Sequence, residues 1–232
     1  MSCLECKTRP YCLPPFLQPD GVQKIDHIVS SRIKVLKGQT LLTEGMPFYA
    51  VYIIRTGFFK TVSNSINGHL HLVGFHMSGD KLGLDGIASN KQVYSSIALE
   101  DSTVCTVPFH ELENLASHSS VLQRHIHIML IDSISRENKN LFMKAKLSAE
   151  ERIASFIQNL IMRLFERGFS SSEVHLRMSR IEISQYLGLT FETVSRELGK
   201  LSDSGVISVQ QRNLRITNIP ALEKITGIAH CI

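Results

Sequence analysis

A chain of 232 residues is long enough for two modest domains, each with its own core. Its 43% hydrophobic and 20% charged residues exclude a fibrous or disordered chain, and no run approaches the roughly 18 consecutive apolar residues of a membrane-spanning helix. The net charge of +4 is spread thinly, 15 basic against 12 acidic residues over 1–146 and 10 against 9 over 147–232, so charge alone does not mark a nucleic-acid binder.

The N-terminus lacks a basic-then-apolar leader pattern, so a cytoplasmic protein is expected. In a reducing compartment, closely spaced cysteines point to metal binding rather than disulfides. Cys3, Cys6 and Cys12 form C-x2-C-x5-C; Cys105 follows far downstream in Ser102-Thr-Val-Cys-Thr-Val-Pro108, and Cys231 has no partner at a useful spacing and is read as incidental. Four thiolates at one place suit an iron–sulfur cluster or a tetrahedral zinc ion, and spacing does not choose between them, although the x5 interval is longer than a common zinc knuckle. Lys7 and Arg9, inside the cysteine loop, would offset the charge of such a centre.

From Ile33 to Phe109 the chain reads as short β-branched and aromatic runs: Leu41-Leu42, Val51–Ile54, Phe58–Val62, Leu70–Phe75, Ser96–Leu99 and Thr103–Val107. Glycines at 38, 45, 57, 68, 74, 79 and 83 are read as turns between antiparallel strands, which predicts a small β-barrel or jelly roll. From Val121 to Lys146 there is no glycine or proline, and one long helix is expected. One stripe runs through His127, Leu130, Ile134, Glu137 and Leu141, and a second begins at Ile126 and Met129. Two stripes suit a helix that packs on its own domain and also on a symmetry mate, with Leu130, Ile134, Glu137 and Leu141 as the homodimer seam. Glu137 would face its own copy there, and the repulsion would keep dimerisation marginal.

Ser148-Ala-Glu-Glu151 has the form of a capping box opening a helix that Gly168 ends. A second box, Ser179-Arg-Ile-Glu182, opens a short helix stopped at Gly188. Thr190 caps another, whose Val194, Leu198 and Leu201 point inward until Ser204-Gly205. Val206–Val209 and Leu214–Ile216 form a wing, and Pro220 starts a terminal helix. Helix, tight glycine turn, helix and wing is a DNA-binding arrangement. The exposed face of its second helix offers Glu192, Ser195 and Arg196 to base edges: arginine to guanine, glutamate to a cytosine amino group, serine to either partner of a pair. Arg180 and Thr193 are expected on phosphates. Read blandly, Glu192 and Arg196 would only be a surface ion pair one turn apart. The expected organisation is a cysteine-rich arm over 1–20, a β-barrel sensor domain over 21–120, a dimerisation helix over 121–146 and a winged helix-turn-helix domain over 147–232, an α+β fold.

The segment from Ile181 to Arg196, with Glu192-x-x-Ser195-Arg196, resembles the winged helix of the CRP/FNR family, FNR branch. Residues 33–109 resemble that family's cyclic-nucleotide-binding-like barrel through Gly38-Gln-Thr-Leu41, Gly45, Tyr52-Ile-Ile54 and Gly57. The resemblance covers nearly the whole chain. It implies that Cys3, Cys6, Cys12 and Cys105 hold an oxygen-labile [4Fe–4S] cluster. It also implies a homodimer gripping a palindrome of TTGA-like half-sites on double-stranded DNA, and contact with RNA polymerase through loops such as Gly86–Lys91. On this reading the cluster promotes dimerisation and oxygen switches the protein off.

Other functions fit less well. Gly83–Ala98, where cyclic-AMP binders carry a phosphate-gripping arginine, contains none, so no cyclic nucleotide is expected. His69, His71 and His76 could suggest haem but suit a solvated face or a satisfied core. No phosphate loop, carboxylate pair or nucleophile–base pattern points to an enzyme. A zinc-stapled regulator indifferent to oxygen is the main alternative.

Overall fold

The computed structural model describes residues 2–14, 17–64 and 70–228. Gly68, His69 and Cys231 lie outside the described residues. The chain divides into two compact units, 1–135 and 136–232.

In the first unit a 3-10 turn, Cys3–Glu5, is followed by helices α1 (Arg9–Cys12) and α2 (Pro19–Ile28). Eight strands come next: β1 (Ser31–Val35), β2 (Thr40–Leu42), β3 (Ala50–Thr56), β4 (Phe58–Asn64), β5 (Leu70–Met77), β6 (Lys81–Leu82), β7 (Ser95–Ala98) and β8 (Ser102–Pro108). They build two four-stranded antiparallel sheets, ordered β1-β8-β3-β6 and β2-β7-β4-β5. Among the described residues no strand pairing joins the two, so the expected barrel is an open sandwich of jelly-roll kind. Edge strands of two and three residues offer too few ladder bonds to close it. Val35, Leu42, Tyr52, Ile54, Phe59 and Val104 fill the core. Gly74, read from sequence as a turn, lies inside β5 beside the irregularity between Thr61 and Val62.

Side chains alternate across a strand, so Val104 in the core places Cys105 on the opposite face of β8. That face is covered by α2, by α3 (Phe109–Ser117) and by the start of α4 (Ser120–Lys146). Leu122 and Met129 of α4 are buried there and Ile126 packs beside them, which makes the second stripe of the sequence the inward one.

In the second unit Ser148 and Glu151 close the expected capping box on α5 (Ala149–Glu166), whose Ile153, Ile157 and Ile161 are fully buried. β9 (Glu173–His175) precedes the helix-turn-helix pair α6 (Arg180–Leu187) and α7 (Phe191–Asp203). β10 (Ile207–Gln210), β11 (Asn213–Ile216) and α8 (Ile219–Thr226) complete it. The wing has three strands, β10-β11-β9, one more than the sequence suggested. No helix among the described residues is long and apolar enough to cross a membrane.

Candidate functional site

The first site is built by the N-terminal arm folding back on the outer face of β8. Cys3, Cys6, Cys12 and Cys105 all line one cavity, together with Arg9, Arg55, Ile53 and Val107. Cysteines as far as 102 sequence positions apart, Cys3 and Cys105, thus reach one place because the arm is tied at several points. The Cys3 amide donates to the Asp26 carboxylate (3.2 Å), which also accepts from Arg32 (2.5 Å). The Thr8 hydroxyl donates to the Arg55 carbonyl (3.0 Å) and Lys81 Nζ to the Tyr11 carbonyl (2.7 Å). His125 Nε2 of α4 donates to the Cys12 carbonyl (3.0 Å), and burial depresses that imidazole's pKa.

Gly79 makes the closest approach possible. It is left-handed at φ +88, and a Cβ there would stand 2.5 Å from the Tyr11 Cβ. Cys105 sits directly across from Arg32 on β1 and from Ile53 on β3. Arg9 lines the cavity, whereas Lys7 is exposed and is not among the residues lining it.

The electrostatics of this cavity favour a cation. Burial and then the Asp26 carboxylate push the Cys3 thiol up to about 12; burial and the neighbouring Cys6 push Cys12 up to about 12. Burial also lifts Cys105, against the opposing pull of Arg32. Thiolates here repel one another and are poorly solvated, so ionising them calls for a positive centre among them. The donor set, soft sulfur ringed by guanidinium groups, fits a metal–thiolate group. Among the described residues no three histidine, cysteine or carboxylate side chains converge closely enough to hold a single metal ion.

The second site is α7. Ser179 and Glu182 form the reciprocal cap of α6, Gly188 ends that helix at φ +65, and the Thr190 hydroxyl accepts from the Thr193 amide (3.2 Å). The tight left-handed turn and the two caps fix where α7 starts, and so which residues its first turns expose. Glu192 and Arg196 are exposed, Ser195 half-buried, and Arg180 Nη1 reaches the Ser195 hydroxyl at 3.5 Å. Arg196 does not pair with Glu192 one turn away. Its Nε donates to Glu197 (3.1 Å), which sequence reasoning passed over.

On α4 the residues proposed for the seam are differently placed. Leu130 is half-buried, Ile134 and Leu141 are exposed, and Glu137 is exposed at the surface near Lys144 and Asn140, with partial burial lifting its pKa. Ile128, Ile131 and Phe142 share that exposed apolar character and were not singled out from sequence. In the segment after Gly83, Asp85 accepts from the Val93 and Tyr94 amides (2.7 and 3.1 Å), folding the loop onto itself. His76 pairs with Phe59 and engages the Thr61 hydroxyl (3.1 Å), and His71, exposed opposite Ser63, comes to the same face because β5 carries an extra residue between them.

A capped helix-turn-helix with a three-stranded wing, carried behind a jelly-roll domain, defines a DNA-binding regulator. A model of the Crp-like helix-turn-helix domain matches residues 151–225, and one of the cyclic nucleotide-binding domain matches residues 32–119. The transcriptional regulatory protein btr of Bordetella pertussis is 37% identical over 99% of this chain and 95% of its own. The fumarate and nitrate reduction regulatory protein of Escherichia coli K12 is 35% identical over 98% and 91%. The solved structure of FixK2 from Bradyrhizobium japonicum superposes with a TM-score of 0.77 at 26% identity, covering 86% of this chain and 98% of that one. The chain belongs to the CRP/FNR family of DNA-binding transcriptional regulators. It is a regulator and not an enzyme, as its relatives and fold neighbours are.

Proposed function

We propose that this regulator senses oxygen in the cytoplasm through a [4Fe–4S] cluster held by Cys3, Cys6, Cys12 and Cys105, and binds a TTGA-type palindrome as a homodimer. The observation that carries the reading is the single cavity lined by all four thiols, on the face of β8 that α4 covers. Thiols spread around a cavity suit a polynuclear centre, whose ligands attach to separate metal atoms, better than one tetrahedral ion. The relatives named for fumarate and nitrate reduction support the same choice. When bound, the cluster supplies an oxygen-labile cross-link between the arm and β8.

The chain's own residues carry the consequence. His125 and Ile126 of α4 touch the arm side of the domain, while Ile128, Ile131 and Ile134 lie exposed on α4. An arm held in place fixes the inner face of α4 and so presents the outer one for pairing. Once paired, two copies of α7 address two half-sites about one helical turn apart, Glu192, Ser195 and Arg196 to base edges, Arg180 and Thr193 to phosphates. On this reading no cyclic nucleotide is needed, and Gly83–Ala98 carries no arginine to grip its phosphate. RNA polymerase is the further partner this reading implies.

Purification without oxygen, followed by iron, sulfide and zinc analysis and an absorption spectrum, tests the proposal. Four irons and four sulfides per chain are expected, with colour that air bleaches and palindrome binding lost in step. One zinc per chain in colourless protein that binds the palindrome equally in air would establish the zinc-stapled alternative.

A further inference from the structure

Of the buried positions on α7, Val194, Leu198 and Leu201 are apolar and the fourth is an acid, Glu197, only 4% exposed. A carboxylate so covered costs stability unless its oxygens are paired. Lys200 does most of that pairing: its Nζ stands 2.9 Å from Oε1 and 3.1 Å from Oε2. The carboxylate is therefore satisfied without help from Arg196. Yet Oε1 also accepts from Arg196 Nε at 3.1 Å, while the arginine side chain remains 61% exposed. One edge of the guanidinium is tied to its own helix and the rest is open to a ligand.

We propose that Glu197 is the positioning residue for base reading: it grips Arg196 by Nε and thereby commits the two terminal nitrogens to guanine. The inference rests on the reading of Arg196 as a guanine contact. A guanidinium has two edges able to donate two parallel hydrogen bonds, one through Nε and a terminal nitrogen, the other through both terminal nitrogens. With Nε occupied, only the second can meet O6 and N7. Fixing Nε also removes much of the rotamer freedom of a long side chain before DNA arrives, so less ordering is required on binding. The carboxylate has a second effect of opposite sign. It places one negative charge beside the phosphates, which weakens sequence-independent attraction. Only the first raises the ratio of specific to non-specific binding; the charge weakens binding to every duplex alike.

The test uses the full-length chain purified without oxygen and three duplexes: the TTGA-type palindrome, the same duplex with its two recognised G·C pairs replaced by A·T, and an unrelated sequence. For the unaltered protein the G·C preference should be roughly 5- to 150-fold per half-site, the range of a bidentate contact. Glu197→Gln, nearly identical in shape, should cut that preference by about tenfold while binding to the unrelated duplex stays level or strengthens. A role confined to folding would weaken binding to all three duplexes together, and a role confined to charge would strengthen all three together; either result, or an unchanged preference, overturns the proposal. Glu197→Leu, which offers a buried position apolar volume, gives the same reading if the glutamine variant is unstable. In an Arg196→Ala background Glu197→Gln should leave the preference untouched. Should Arg196→Ala alone keep the full G·C preference, the guanine reading itself fails; if it loses the preference and Glu197→Gln does not, only the positioning role is refuted.

Discussion

Replacing Gly79 with alanine isolates the docking of the cysteine arm. A Cβ at 79 would lie 2.5 Å from the Tyr11 Cβ and 3.1 Å from its Cγ, against the 3.5–4.0 Å of ordinary carbon contact, so α1 must retreat by roughly an ångström. Two ties sit beside that contact, Thr8 to the Arg55 carbonyl at 3.0 Å and Lys81 to the Tyr11 carbonyl at 2.7 Å. An ångström more takes both out of hydrogen-bonding range, and each is worth about 0.5–1.5 kcal/mol. The arm should thus open more often by about 1–3 kcal/mol, a 5- to 150-fold increase in the open population. Alanine at φ +88 carries a separate backbone cost of roughly 1–2 kcal/mol that weakens the whole domain. Gly38→Ala supplies the control, because Gly38 has φ +83 and nothing within 4 Å of its added Cβ. Alkylation of Cys12 in the metal-free, reduced chain, followed by mass spectrometry, reads the opening. Gly79→Ala should label Cys12 much faster than Gly38→Ala at equal global stability. Equal labelling would refute the docking of α1 on the turn between β5 and β6.

Ser179→Ala removes a cap in which the serine hydroxyl and the Glu182 carboxylate satisfy each other's amides. Its cost should be roughly 0.5–2 kcal/mol, seen by calorimetry as a transition several degrees lower; an unshifted transition would show the box to be idle. Burial lifts the Glu137 pKa, with Lys144 opposing, so the carboxyl holds its proton more tightly in the folded chain than in the unfolded one. Such a group stabilises the folded chain below the ordinary carboxylate value of about 4.3, and that contribution is lost as pH rises through the raised value. Stability against unfolding should therefore decline as pH rises through the raised value, a decline that Glu137→Gln flattens, and at neutral pH Glu137→Gln, which removes a like charge from the proposed seam, should tighten self-association measured by sedimentation. Self-association unchanged by Glu137→Gln would place this side chain outside the seam.

The sequence announces elements whose ends carry local chemistry. Ser148 with Glu151, Ser179 with Glu182, Thr190 and Gly188 are caps that act within one turn, so α5, α6 and α7 start and stop where spacing expects. What escaped depends on distant partners. β6 and β9 hold two and three residues and exist only because a neighbouring strand pairs with them. α2 opens on Pro19-Asp-Gly, a turn-like string whose helix is held by Val22 and Ile25 packing under α3 and α4. Gly74 carries a turn residue's signature, yet it sits in mid-strand because a side chain there would crowd Thr61 and His76. The four cysteines were visible, but Asp26, Arg32 and His125, which hold the arm against them, were not, since cross-strand register and helix packing bring them there. Glu197 did leave a mark: it falls on the same face as Val194, Leu198 and Leu201, and an acid among apolar positions with a lysine three residues on is a buried pair in waiting.

These placements also bear on how an arm of a dozen residues can reach a dimer seam. α4 has its inward face committed at Leu122, Ile126 and Met129, and the clusters under those residues contain Leu13, Cys3, Val107 and Ile53. Ile126 belongs to both clusters, one with the arm and one with β8, and His125 beside it bonds the Cys12 backbone. A helix is stiff over such distances, so a change in packing at 125 and 126 would rotate or shift the residues of the next two turns, where Ile128, Ile131 and Ile134 lie exposed. No longer chain of contacts is required. Loss of the arm would remove packing partners from one side of α4 while the contacts of Met129 with Val107 and Leu112 persist, leaving a folded domain with a misaligned outer face. On the proposed reading that is the behaviour of a reversible switch rather than of a protein that unfolds when its ligand leaves.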